Sequence, residues 1–209
     1  MGLMRIGLLG GSFDPIHRAH VELAKTALSE LKLDEVQLLP ARQPWQKPAL
    51  AASTQDRLAM IELAIGNIAG LSVNPIELAR SGKTYTIDTL EQLPAQHTYF
   101  WIFGADQLQN FTTWHRWQDV ARHVTLVAAQ RPGAQLDIPP ALRAQIDANK
   151  AQVLTLDFEP MDISATELRQ ALGLGKPVDQ WLDPHVAAYI AQKHLYQSNS
   201  QPSIRSGIS

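Results

Sequence analysis

Gly10-Gly11-Ser12-Phe13-Asp14-Pro15-Ile16-His17-Arg18-Ala19-His20 follows directly on the apolar run Arg5-Ile6-Gly7-Leu8-Leu9. Residues 5–10 read as a short buried strand. The two glycines at its exit permit a sharp turn and leave the backbone open to close approach by a ligand. Asp14 can cap the turn that follows, and Pro15 suits the first turn of a helix. From about Ile16 to Leu33 the apolar residues Val21, Leu23, Ala24, Ala27, Leu28 and Leu31 recur at helical spacing. A strand, a tight turn and a helix start in this order favour an anion, because the first helical N–H groups are unpaired and the dipole is positive there. His17 and His20 share one face of that turn and can donate to phosphate oxygens. Two surface histidines or a metal pair are the alternatives. The metal reading is disfavoured, because the chain has no cysteine and a helical zinc pair stands four apart with a glutamate between.

Further apolar runs lie at 35–39, 71–74, 98–103, 124–129 and 153–156. The continuous run Thr98-Tyr99-Phe100-Trp101-Ile102-Phe103 marks a central strand covered on both faces. Helices are expected after Ser53 or Thr54 to about Ile68, and at 140–149, 164–172 and 184–194. The segment 84–93 starts extended and becomes helical. Strands alternating with helices predict an α/β fold, a doubly wound, mainly parallel sheet with helices on both faces. Ligands bind such sheets beyond the C-terminal strand ends, near the topological switch point. Residues 10–20, 40–47 and 104–106 all follow apolar strands and should share that edge. The chain reads as one domain over 1–196 with a polar, aperiodic tail at 197–209 expected to be disordered.

Composition narrows the classes. The chain has 209 residues, of which 45% are hydrophobic, with 18 basic and 20 acidic residues and net charge −2. No whole-chain basic field argues for nucleic acid, and no window has the length and apolarity of a membrane span. The N-terminal stretch does not read as a signal peptide. Zero cysteines exclude disulfides and thiolate chemistry and fit a cytoplasmic protein. Two decoys fall away. Ser81-Gly82-Lys83-Thr84 resembles the end of a Walker A loop, but Glu77 stands where its first glycine should be. The early glycines do not make G-x-G-x-x-G, so the dinucleotide fingerprint is missing.

Near the other end, Asp162-Ile163-Ser164-Ala165-Thr166-Glu167-Leu168-Arg169 places hydroxyl donors at a helix start, with Glu167 three after Ser164 as in a capping box. Alone it reads equally as a well-capped helix. Together the two stretches resemble the GGTFDPxHxGH and ISSTxIR motifs of the HxGH nucleotidylyltransferase superfamily, with Ala19 where glycine is common. That resemblance implies a Rossmann-like fold and nucleotidyl transfer to a phosphorylated acceptor with release of pyrophosphate. It implies an ATP site at Gly10, Gly11, Ser12, Phe13, His17 and His20. Gly104, Asp106, Ile163, Ser164, Thr166 and Arg169 complete it, the last three from the side opposite the histidines. Lys47, in Pro40-Ala41-Arg42-Gln43-Pro44-Trp45-Gln46-Lys47, aligns with the lysine of the P-A-x-x-P-P-H-K pattern; Trp45 and Gln46 depart from it. His17, His20, Lys47 and Arg169 would be the catalytic groups, and magnesium would accompany ATP without a protein metal site.

The middle of the chain bears on the acceptor. Ser81-Gly82-Lys83-Thr84-Tyr85-Thr86-Ile87-Asp88-Thr89-Leu90, the segment 104–120 and Gln130-Arg131-Pro132-Gly133 resemble segments of bacterial nicotinate-nucleotide adenylyltransferases. The implied substrates are ATP and nicotinate mononucleotide. A pyridine ring needs a flat partner, which Trp114 offers. By resemblance, backbone N–H groups of Thr86 and His115 would hold the carboxylate, with Ser12, Lys47, Tyr85 and Arg131 on the same ligand. Trp117 and Tyr85 read first as packing residues and Arg57 as a surface residue, while Asp88 reads equally as a helix cap. The loop 40–52 is long and proline-rich and reads as a candidate lid. Rivals are a sister adenylyltransferase for nicotinamide mononucleotide or phosphopantetheine, and a nucleotide-binding sensor without turnover. Oligomeric state is not legible.

Overall fold

A computed structural model of the chain describes residues 2–43, 50–66, 68–80, 82, 84–159 and 161–197. Lys47, with Trp45 and Gln46, lies outside the described residues, as do Ser81, Lys83 and the tail beyond residue 197.

Six strands form one sheet in the order β3-β2-β1-β4-β5-β6: β1 (Arg5–Gly11), β2 (Glu35–Pro40), β3 (Leu71–Val73), β4 (Thr98–Gly104), β5 (Thr125–Gln130) and β6 (Gln152–Asp157). Every neighbouring pair is parallel, so every strand ends on the same edge. Parallel pairing needs a crossover between strands, and helices supply most of them. The order reverses at β1, with β2 and β3 on one side and β4 to β6 on the other. The expected doubly wound, Rossmann-like sheet is therefore present and is wholly parallel.

The strand residues alternate between two apolar layers. Leu9, Val36, Leu38, Phe100 and Ile102 face one layer, closed by α1 (Arg18–Glu30), α2 (Thr54–Ile65), α7 (Ala165–Gly173) and α8 (Pro184–Gln192). Ile6, Leu8, Tyr99, Trp101 and Phe103 face the other, against α3 (Thr86–Leu90), α4 (Ala105–Asn110), α5 (Trp117–His123) and α6 (Pro140–Asp147). All six apolar residues expected on one face of α1 pack into the first layer.

The differences lie at ends and in short elements. Helix α1 begins at Arg18, not near Ile16, and stops at Glu30. Ile16 is fully buried, and His17 is extended as the N-cap residue, so residues 14–17 belong to the turn. The Asp14–Pro15 peptide is cis. Ser53, rather than Thr54, caps α2, accepting from the Asp56 N–H. Helices α4 and α5 and the 3-10 turn Pro75–Glu77 were not expected; they are too short to show a helical period.

Gly7 sits between the two neighbouring strands, where an added Cβ would come within 2.9 Å of side-chain atoms of Leu33, Val36 and Ile102. Overpacking of this kind costs about 1–3 kcal/mol. Gly7→Val is expected to lower the unfolding free energy by about that much, measured by urea titration; an unchanged midpoint would show that this core yields freely.

Candidate active site

Strand register brings the chain exits together. Gly11 pairs with Pro40, and Leu9 pairs with Ile102. Gly11 and Gly104 therefore end adjacent strands at the same level, beside the reversal of strand order. The expected meeting of residues 10–20, 40–43 and 104–106 on one edge holds for the described residues.

The glycines at this edge also have a packing reason. A Cβ on Gly10 would meet the Trp101 indole at 2.9 Å, and one on Gly11 would meet the Phe13 ring at 2.9 Å. Their missing side chains make room for aromatic rings. The left-handed residue of the turn is Phe13, with φ of 47°. Its ring is 1% exposed and packs in the first apolar layer, so only its backbone is available to a nucleotide. Asp14 does not cap α1. Its carboxylate accepts from the N–H groups of Ala51 (2.7 Å) and Ala52 (3.1 Å) and from the Tyr196 hydroxyl (2.7 Å).

His17 and His20 are neighbours, with ring centroids 3.8 Å apart and the planes tilted by 32°. The His17 backbone N–H donates to Nδ1 of His20 at 3.3 Å. A neutral His20 therefore carries its proton on Nε2. His17 is 7% exposed, and its Nδ1 has no protein partner. Burial pushes its pKa down to about 4, because a charged ring there would lose its hydration. His17 is neutral at pH 7 before any phosphate arrives.

The two motifs from opposite ends of the chain are joined. Arg169 of α7 donates from Nη1 to the Asp14 carbonyl at 2.8 Å and from Nη2 to Thr166 Oγ1 at 3.4 Å. Ser164 caps α7, accepting from the Glu167 N–H at 3.1 Å and donating to Glu167 Oε2 at 2.7 Å. The forward half of the expected capping box is present, while the Glu167 side chain takes the Ser164 hydroxyl. Ser164 and Thr166 are exposed, and Ile163 is half-buried.

On the other side of β1, Trp101 is the link. Its ring meets Trp114 edge-on, with centroids 6.2 Å apart, and Trp114 also packs on Phe111 at 5.3 Å. Trp114 is half-buried and its buried Nε1 has no protein partner. Tyr85 lies against His115 with ring centroids 4.6 Å apart. Thr86, the first residue of α3, thus stands near His115. Trp117 packs on Phe111 in the same layer. Tyr85, not Asp88, is the N-cap residue of α3. Asp106 is exposed just past Gly104 and accepts from Gln107 Nε2 at 2.9 Å. Arg131 follows β5 on the same edge, two strands from β1, exposed, with Glu159 at 3.9 Å.

Arg57 is the largest correction. Expected on the surface, it is 1% exposed and donates from Nη1 to the Ser12 carbonyl at 2.7 Å. Its Nε and Nη2 are buried without protein partners. Burial disfavours its charge, and the nearby Asp14 supports it. Its position in α2, one residue after the first-turn Asp56, carried no sign of this.

Comparison with known proteins agrees with the geometry. The profile of the cytidylyltransferase-like family matches residues 8–171. A protein of Bordetella pertussis named probable nicotinate-nucleotide adenylyltransferase is 52% identical over 197 residues, covering 94% of this chain and all of that one. A Laribacter hongkongensis protein of the same name is 40% identical, covering 93% of this chain and 96% of its own. Among solved structures, nicotinic acid mononucleotide adenylyltransferase of Plasmodium falciparum, complexed with NaAD, superposes with a TM-score of 0.72. It is 19% identical, with 92% of this chain and 97% of that one covered, a likeness of fold. A putative nicotinate-nucleotide adenylyltransferase of Vibrio parahaemolyticus gives 0.64 at 15% identity, covering 90% and 99%. From its motifs, its sheet and these relatives, the chain belongs to the cytidylyltransferase-like family and, within it, to the nicotinate-nucleotide adenylyltransferases.

Proposed function

We propose that this protein transfers the adenylyl group of ATP to nicotinate mononucleotide, giving nicotinate adenine dinucleotide and pyrophosphate, a step of NAD biosynthesis in the cytoplasm. The observation that carries the reading is the hydrogen bond from Arg169 to the Asp14 carbonyl. It joins both phosphate motifs at the sheet reversal, on the other side of which Trp101 and Trp114 pack edge-on.

The acceptor 5′-phosphate oxygen attacks the α-phosphorus of ATP. The bond from that phosphorus to the oxygen bridging to the β-phosphate breaks, and pyrophosphate leaves with the electron pair. No protein nucleophile is required; alignment and stabilisation of charge on the phosphate oxygens carry the reaction. Nε2–H of His20 supplies a hydrogen bond to these oxygens, and Arg169 supplies positive charge. Lys47 is proposed to do the same from the acceptor side. His17 starts neutral, and an approaching triphosphate favours its protonation. Ser164 and Thr166 offer hydroxyls at the exposed start of α7. Trp114 offers a face for the pyridine, and the Thr86 and His115 N–H groups would hold its carboxylate.

Among the described residues no three histidine, aspartate or glutamate side chains gather to hold a metal. Magnesium would be carried on the triphosphate, with Asp106 as the exposed carboxylate for its water shell. The ion would neutralise charge on the departing pyrophosphate. No helix among the described residues is long and apolar enough to cross a membrane.

Pyrophosphate release, with magnesium-ATP and in turn nicotinate mononucleotide, nicotinamide mononucleotide and phosphopantetheine, tests the reading. Release with nicotinate mononucleotide is expected; release with another acceptor alone would overturn the acceptor, and none at all would favour a sensor. His20→Ala should lower kcat by about two orders of magnitude or more in folded protein, and unchanged turnover would remove His20 from the reaction. Trp114→Ala should raise KM for nicotinate mononucleotide more than for ATP, whereas equal rises would argue against stacking. The depressed His17 pKa also makes stability depend on pH. Between about 6.5 and about 4 the unfolded chain binds a proton at His17 that the folded chain refuses. Stability is therefore full above about pH 6.5 and falls by up to about 3 kcal/mol as the pH drops towards 4. Urea titrations of wild type and His17→Gln at pH 7 and pH 4.5 should show this loss in the wild type alone.

A further inference from the structure

The turn Ser12–Asp14 is held by Arg169 of the second phosphate motif and by Arg57, Tyr196, Ala51 and Ala52, which neither motif contains. Phe13 sits at its centre in a left-handed conformation, which side chains other than glycine adopt only when their surroundings hold them there. The carbonyls on either side of Phe13 each accept from a guanidinium. Arg57 of α2 holds Ser12 at 2.7 Å, and Arg169 of α7 holds Asp14 at 2.8 Å. The Asp14 carboxylate is in turn held by the Tyr196 hydroxyl at 2.7 Å and by the backbone N–H groups of Ala51 and Ala52. Ala51 and Ala52 end the loop that begins beyond β2. Asp14 is 2% exposed and Arg57 1%, so these contacts lie where water competes little and a hydrogen bond is costly to lose.

We propose that Arg57 and Tyr196 are positioning residues for adenylyl transfer. They fix the Ser12–Asp14 turn, and through Asp14 they set Arg169 and the end of the acceptor-side loop relative to each other. Neither touches substrate: Arg57 lies beneath the turn, and Tyr196 reaches Asp14 from the end of the described chain. Their effect falls on geometry. The turn leads directly into His17 and His20, and displacing a reacting group by about 1 Å can cost about 100-fold in rate. Two tyrosines near the C-terminus make the idea separable from general stability. The Tyr196 hydroxyl donates to Asp14 in the turn, whereas the Tyr189 hydroxyl of α8 donates to Asp56 Oδ1 of α2 at 2.9 Å.

This inference rests on the proposed adenylyl transfer, so wild-type turnover is measured first in the same pyrophosphate assay. Tyr196→Phe, Tyr189→Phe, Arg57→Met and the double variant Arg57→Met/Tyr196→Phe are then compared for kcat, for both KM values and for thermal midpoint. Tyr196→Phe should lower kcat about 5-fold and Arg57→Met about 50-fold, with both KM values within about twofold. Tyr189→Phe should lower the midpoint and leave kcat unchanged. Because both residues act through one turn, the double variant should lose less than the product of the single losses. Should Arg57→Met not fold, Tyr196→Phe against Tyr189→Phe still decides. Wild-type kcat in folded Tyr196→Phe, or an equal loss in Tyr189→Phe, would overturn the proposal while leaving the function intact. A wild type without turnover on any acceptor would overturn the function and this inference with it.

Discussion

Parallel pairing of β1 with β2 on one side and β4 on the other is the constraint on which the rest depends. It forces three chain exits onto one edge at one level, with Gly11 opposite Pro40 and beside Gly104. Because the crossovers run in opposite directions from β1, the C-terminal edge between β1 and β4 is the topological switch point, where such sheets bind ligands. Burial of apolar strand faces in two layers holds the register, since a one-residue slip would turn Leu8 and Leu9 to the wrong sides. The site is thus a consequence of the packing, and its loops need only carry the right groups.

Those groups are held with little freedom. Two histidines stand ring to ring at the start of α1, His17 kept neutral by burial and His20 with its Nδ1 taking a backbone N–H. Such a pair offers hydrogen bonds without the cost of burying two like charges, and it can gain charge when phosphate arrives. Permanent positive charge comes from guanidinium groups on helices α2 and α7. One of these, Arg169, is half-buried, while Arg57 is fully buried and committed to the backbone below. The two guanidinium groups are therefore separated by depth.

The acceptor side uses aromatic rings in the same graded way. Trp101 fills the room left by Gly10 and supports Trp114, which is half-buried between core and crevice. Tyr85 and His115 meet at the rim. A flat ligand on Trp114 would add to an edge-on cluster of rings whose inner members already belong to the second apolar layer.

Much of this was legible in the sequence. The apolar runs, the helical spacing in α1, the strand–turn–helix start and the two phosphate motifs depend on residues close in sequence, and local chemistry dictates them. The alternation of strands and helices was enough for the sheet and for the edge on which the motifs meet. Side-chain surroundings were not legible in this way. That Arg57 is buried, that Asp14 holds residues 51 and 52 and Tyr196 rather than α1, and that Gly10 makes room for Trp101 all follow from contacts between distant residues. Periodicity carries no trace of such contacts. The helix start moved to Arg18 for the same reason: burial of Ile16 in the core outweighed the local preference of Pro15 for a first helical turn. Local chemistry along the chain names the candidate groups at the sheet edge, and long-range packing selects which of the described ones stay exposed there, because burial depends on partners distant in sequence.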